Sequence, residues 1–156
     1  MDSAHQQHQV LSQFRIIFGA MRKHFRQLEQ KTGLPGTEVW VLHLIDKHED
    51  ISVNEIAEAM YVHQSTVSNL LASLLRKSLI TKEKNPRDRR VSVLRLTEEG
   101  GKRLAAAPAP REGLLPAMIS QLTPEQLAQV DAAMSLLLEK MPLSTADLGH
   151  SPLATM

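Results

Sequence analysis

Apolar residues recur at intervals of three and four at Val10, Leu11, Phe14, Ile17, Phe18, Met21, Phe25 and Leu28. That is the period of a helix with one buried stripe. Gly33-Leu34-Pro35-Gly36 breaks the pattern, and a second helix is expected over about residues 37–47. Ser52-Val53-Asn54-Glu55 has the form of a capping box, with Ile51 and Ile56 in staple positions, and opens a short helix to near Met60. Tyr61-Val62-His63 leads into a longer helix over about 64–77, whose apolar stripe is Val67, Leu70, Leu71, Leu74 and Leu75. The period then changes from helical to alternating. Residues 79–84 and 91–96 read as two strands joined by the turn-rich, polar Asn85-Pro86-Arg87-Asp88-Arg89-Arg90.

Past residue 97 the helical period returns with an interruption. Pro108, Pro110 and Pro116, with Gly113 among them, should stop a helix near residue 107 and restart it around 111–116, or kink it sharply. Thr123-Pro124-Glu125-Gln126 is a second strong start signal, followed by Leu127, Val130, Met134, Leu137 and Met141 at heptad-like spacing. Residues 1–9 are polar and rich in Gln and His, and residues 142–156 carry Pro, Ser, Thr and Gly without period. Both are expected to be flexible ends. The first and last helices each carry an apolar stripe. These either pack on a second copy or close the core of a monomer.

The order helix, short turn, helix, strand, basic loop, strand is that of a winged helix-turn-helix. The fold expected is mainly α with a small β-wing. Two features of that segment point to nucleic acid. The second helix opens with Gln64, Ser65, Thr66, Ser68 and Asn69, and no charge falls between His63 and Leu75. Gln and Asn can bond adenine bidentately, Ser serves several bases, and a helix N-terminus favours a phosphate. Residues 76–90 then hold seven basic and two acidic side chains, a net +5 in a chain that is +1 overall, so the remainder is −4. Charge so concentrated is the footprint of a polyanion-binding surface, with Lys82, Lys84, Arg87 and Arg89 suited to phosphates. The alternative is a winged helix used only as a protein-interaction module, which needs neither the uncharged reading face nor the basic segment.

Asp88-Arg89-Arg90, then Val91-Ser92-Val93-Leu94-Arg95, then Leu96-Thr97-Glu98-Glu99-Gly100 resembles the wing signature of the MarR family of bacterial transcriptional regulators. That signature pairs an Asp-x-Arg wing tip with a Leu-Thr-x-x-Gly junction. Ile56-Ala57-Glu58 and Ser65-Thr66-Val67-Ser68 sit where the family has its two helix-turn-helix elements, and the resemblance covers roughly residues 10–141. It implies a homodimer joined through a helical region formed by residues 10–36 and 98–141, with a DNA-binding lobe over 37–97. It also implies a regulator, more often a repressor, of a double-stranded, pseudo-palindromic operator. Arg90 would enter the minor groove, oriented by Asp88, which suits a guanidinium in a narrow, negative groove. Members of the family are commonly controlled by a small aromatic acid, such as a hydroxybenzoate or hydroxynicotinate, bound between the lobe and the dimer region. Phe14, Arg15, Phe18, Trp40 and His43 are the candidates for such a site: aromatic walls, a cation and an imidazole. Phe14, Phe18 and Trp40 equally fit core positions, and Arg15 and His43 fit a solvated surface.

Composition narrows the remaining classes. With no cysteine there is no disulfide, no thiol-oxidation sensing and no cysteine-based zinc site. His43 and His48 do not share a helix face well, and His5 and His8 lie in the polar lead, so no metal ligand set is expected. No Gly-rich phosphate loop and no nucleophile–base set appears, so neither an enzyme nor a cofactor is expected. No apolar run reaches a membrane span and residues 1–9 lack the apolar segment of a signal peptide, so a cytoplasmic protein without membrane contact is expected.

Overall fold

The structure is a computed structural model that describes residues 2–142 together with 148, 149 and 152. Its element order is α1 (Ser3–Thr32), α2 (Gly36–Lys47), α3 (Val53–Met60), α4 (Gln64–Arg76), β1 (Ile80–Lys84), β2 (Ser92–Leu96), α5 (Glu98–Ala106), α6 (Leu114–Ile119) and α7 (Pro124–Glu139). β1 and β2 form an antiparallel pair in which Ile80 faces Leu96 and Lys84 faces Ser92. Each strand begins one residue later than its alternation suggested. The N-terminus differs more. Ser3 to Gln9 are the first turns of α1, because Asp2 caps the Ala4 amide and no breaker intervenes before Gly33. The tail expected over 142–156 falls largely outside the described residues.

The core sits under the helix-turn-helix. Leu42 of α2, Ile56 of α3, Leu74 of α4 and Leu79 beside β1 are fully buried there, with Leu28 of α1 and Leu34 of the turn after it. At roughly 1.5–3 kcal/mol per fully buried large apolar side chain, this cluster is the main favourable term holding the lobe. The capping box is formed as read: the Glu55 amide donates to Ser52 Oγ (3.1 Å) and the Ser52 amide to Glu55 Oε2 (3.2 Å). Thr123 and Gln126 make the same reciprocal pair at the start of α7. The prolines act as expected. α5 ends at Ala106, and the helix restarts at Leu114, three residues after the earliest start anticipated, with Pro116 in the first turn where its missing amide is not needed. His24 Nε2 donates to the Pro110 carbonyl (2.8 Å), fastening this linker to α1.

The two terminal stripes do not close a monomeric core. In α1 the buried residues are Met21, His24, Leu28 and Thr32, all in its second half, and α7 buries none. Phe18 is 52% exposed and Leu137 44%. Among the described residues no helix is long and apolar enough to cross a membrane.

The Leu-Thr-x-x-Gly junction has a complete physical explanation. Thr97 donates its amide to the Leu79 carbonyl (3.0 Å) and its hydroxyl to the Ser78 carbonyl (2.7 Å), and its Oγ1 accepts the Gly100 amide (3.0 Å). One side chain therefore joins the end of the wing to the start of α5. Gly100 is pressed so closely against Leu79 that an added Cβ would collide with the Leu79 carbonyl oxygen. Gly100→Ala should therefore cost about 1–3 kcal/mol, the usual penalty of overpacking against backbone. Urea unfolding checks this, and an unchanged midpoint would mean that the junction yields freely.

Candidate nucleic-acid interface and the cleft behind it

The stripe of α4 divides its residues as an amphipathic helix must. Val67, Leu71 and Leu74 are buried against α2 and α3, and Gln64, Ser65, Ser68 and Asn69 are exposed, with Thr66 half-buried between the two faces. What holds that face at a fixed angle is a carboxylate that no motif announces. Glu38, in the first turn of α2, is buried, with its side chain 5% exposed. Its two oxygens take one donor each from α4 and its C-cap: the Ser73 hydroxyl at 2.6 Å and the Lys77 ammonium at 2.7 Å. A buried carboxylate is tolerated only when paired and hydrogen-bonded. Lys77 is thereby committed to the fold, although it counted toward the basic segment in the sequence.

The wing is built on two side-chain turns. Asn85 Oδ1 accepts the Arg87 amide (2.9 Å) and Asp88 Oδ1 accepts the Arg90 amide (3.0 Å). Asp88 Oδ1 also stands 3.6 Å from Arg90 Nε, while the Arg90 side chain is 94% exposed. Lys82 and Lys84 alternate with Glu83 on β1 and so leave the same side of the strand. Arg87 and Arg89 are exposed on the loop. A second ion pair, Arg95 to Asp50 at 2.7 Å, ties β2 to the turn after α2. Wing, α4 and α2 are thus cross-linked by polar contacts outside the apolar core, and the exposed polar face of α4 and the cationic wing belong to one lobe.

Behind this lobe lies a cleft of about 590 Å³. Trp40 and His43 line it as anticipated, joined by Phe25 of α1, Leu115 and Ile119 of α6, and the Tyr61–Val62 turn that precedes α4. The other three anticipated ligand contacts are elsewhere in the chain. Phe14 and Phe18 stack on each other, 5.9 Å between centroids, on the stretch of α1 before Met21 that has no buried residue, and Arg15 is exposed beside them. The other ionisable side chains at the cleft are Lys47, His48 and Glu112. Phe25 was visible in the sequence as a stripe residue, but its position over the cleft follows from the linker around Gly113, which lies against its ring. His43 Nδ1 is a buried polar atom with no hydrogen-bond partner among the described residues. Among those residues no group of three or more His, Asp or Glu could hold a metal ion.

A model described as the MarR family matches residues 32–91, from the end of α1 through the wing loop. The HTH-type transcriptional repressor MdtR of Bacillus subtilis (strain 168) is 33% identical over 113 residues, 72% of this chain and 73% of that protein. The chain belongs to the MarR family. It is a MarR-family transcriptional regulator with a DNA-binding winged helix, and the family is one of regulators rather than enzymes. HTH-type transcriptional regulator MhqR of the same organism is 29% identical over 132 residues, covering 84% of this chain and 78% of that one. In the crystal structure of an S. aureus MepR–DNA complex, the matching chain is 28% identical with a TM-score of 0.53, over 81% of this chain and 91% of that one.

His43 makes the cleft sensitive to pH. Burial pushes its imidazole below the ordinary value of 6.5; Glu112 opposes this, Arg111 and Lys47 add to it, and Asp46 opposes weakly. The folded state thus favours neutral His43, and the unfolded chain takes up the proton first as pH falls. Stability contributed by the neutral ring is intact above the unfolded value and is lost as pH falls through the lower, folded one. His43→Phe should remove that part of the decline in Tm as the pH falls below 6.5. An identical pH dependence in the variant would place the titration elsewhere.

Proposed function

We propose that two copies of this MarR-family regulator join through α7 and the exposed half of α1, and repress transcription from a pseudo-palindromic operator. A small aromatic acid such as a hydroxybenzoate or hydroxynicotinate releases the DNA. The reading is carried by one observation: α4 presents an uncharged polar face beside a cationic wing, on a lobe held rigid by Glu38. Two-fold symmetry sets two such faces about one duplex turn apart, matching the two half-sites of a palindrome. The apolar exposure of α1 and α7 supports the pairing, since faces of this kind mark interaction surfaces. The DNA-bound relative supports the docking mode. Gln64, Ser65, Thr66, Ser68 and Asn69 read bases. Lys82, Lys84, Arg87 and Arg89 hold phosphates, and Arg90 enters the minor groove with Asp88 restraining it. Trp40 and Phe25 offer an aromatic ring its walls, Lys47 offers a carboxylate a cation, and His48 offers it a ring N–H. Acting on an operator, the protein works in the cytoplasm.

The two classes of DNA contact leave different signatures. Titration on a duplex from upstream of the protein's own gene and on a random duplex, at two salt concentrations, separates them. Lys84→Ala should weaken both duplexes alike and reduce the salt slope by about one. Asn69→Ala should cost about 1–3 kcal/mol on the specific duplex only and leave the slope unchanged. Equal loss on both duplexes from Asn69→Ala would remove α4 as the reading element. A stoichiometry of one chain per site would remove the dimer.

A further inference from the structure

The wing has little apolar anchorage. On β1 only Ile80 is buried, and on β2 only Val93 and Leu94. From Thr81 to Ser92 every residue is exposed except the half-buried Asn85. A two-stranded ribbon is marginal by itself in water, and apolar contacts confined to its base are too non-directional to fix its tilt. Arg90 stands five residues from Arg95, toward the tip. A small tilt at the base therefore becomes a larger displacement of Arg90.

Arg95 lies at that base. Opposite residues of an antiparallel pair share a face, so the register puts Arg95 with Thr81, Val93 and Glu83, and puts Lys82 and Lys84 with Leu94 and Ser92 on the other face. The Arg95 cation thus leaves the sheet on the side away from the two lysines assigned to phosphates. Its guanidinium is committed within the lobe, donating to Asp50 Oδ1 at 2.7 Å and to the Leu94 carbonyl at 3.2 Å. Asp50 stands in the turn between α2 and α3 with a left-handed backbone, φ 56°. Asp and Asn adopt that conformation more readily than other non-glycine residues. The two side chains are 43% and 49% exposed, so the pair adds little to stability. What it can do is hold an angle.

We propose that Asp50 is a positioning residue for DNA binding: through Arg95 it sets the tilt of the wing, and so the entry of Arg90 into the minor groove. This role rests on the minor-groove reading of Arg90 given above. The sign of the effect separates it from charge alone. An acid on a lobe that meets a polyanion opposes binding electrostatically, so neutralising it should help. If Asp50 aims the wing, neutralising it weakens binding instead.

The experiment titrates Asp50→Asn, Arg95→Gln, Arg90→Ala and the double variant Asp50→Asn/Arg90→Ala on the duplex from upstream of the protein's own gene, at two salt concentrations. Asn suits the left-handed backbone as Asp does, so Tm should hold. Asp50→Asn should weaken binding by about two- to fivefold, the equivalent of one exposed ion pair, with the salt slope unchanged. On the Arg90→Ala background the same change should cost nothing further, since the group being aimed is gone. Equal or tighter binding by Asp50→Asn, or a full loss that persists without Arg90, would overturn the role. So would a drop of about one in salt slope from Arg95→Gln, which would make Arg95 a phosphate contact. An Arg90→Ala that binds like the wild type would overturn the minor-groove reading and this role together, whereas a loss from Arg90→Ala with none from Asp50→Asn overturns this role alone.

Discussion

A single buried carboxylate fixes the working part of this molecule. Apolar packing brings α4 onto α2 and α3, but packing of leucines and valines is nearly non-directional and tolerates small rotations about the helix axis. Glu38 does not tolerate them. With one oxygen on Ser73 and the other on Lys77, it is satisfied only when α4 has one rotation and one register relative to α2. The same rotation turns Gln64, Ser65, Ser68 and Asn69 outward. Hydrogen bonds to a charged group are worth about 1.5–3 kcal/mol, small beside the core but large for a choice among orientations that bury similar area.

From that clamp the remaining geometry propagates. α4 runs into β1, Arg95 on β2 reaches Asp50 after α2, and Thr97 stitches the wing to α5 beside Gly100. The wing tip therefore has a set distance from the reading face. α5 in turn touches α1, where Arg103 donates to the Thr32 carbonyl at 3.0 Å. The cleft occupies the gap left between this rigid lobe and the proline-broken linker. Its lining includes the Tyr61–Val62 turn that leads into α4.

Much of this was legible in the sequence because the signals are local. Ser52 with Glu55 and Thr123 with Gln126 declare helix starts within four residues. Pro108 and Pro110 cannot stand in a helix interior, and the alternation around Asn85–Arg90 specifies a hairpin. Glu38 was not legible, since its partners lie 35 and 39 residues away and an acid in the first turn of a helix has an ordinary explanation in the helix dipole. That Phe14, Arg15 and Phe18 of α1 do not line the cleft has a related reason. Periodicity says which face of a helix is apolar, not how far along the axis its packing extends. The core reaches Phe25 and Leu28, while Phe14, Arg15 and Phe18 lie beyond it.

The most direct test of this account is a double-mutant cycle on operator-fragment binding with Glu38→Gln and Lys77→Met, read at two salt concentrations. If the clamp orients α4, each single variant weakens the specific duplex while random duplex and salt slope barely change. The pair then couples by about 0.5–3 kcal/mol, the range for residues in direct contact. Additive effects, or a loss from Lys77→Met that falls equally on both duplexes and lowers the salt slope, would contradict it. Lys77 would then be a phosphate contact, and Glu38 would not be what aims the reading helix.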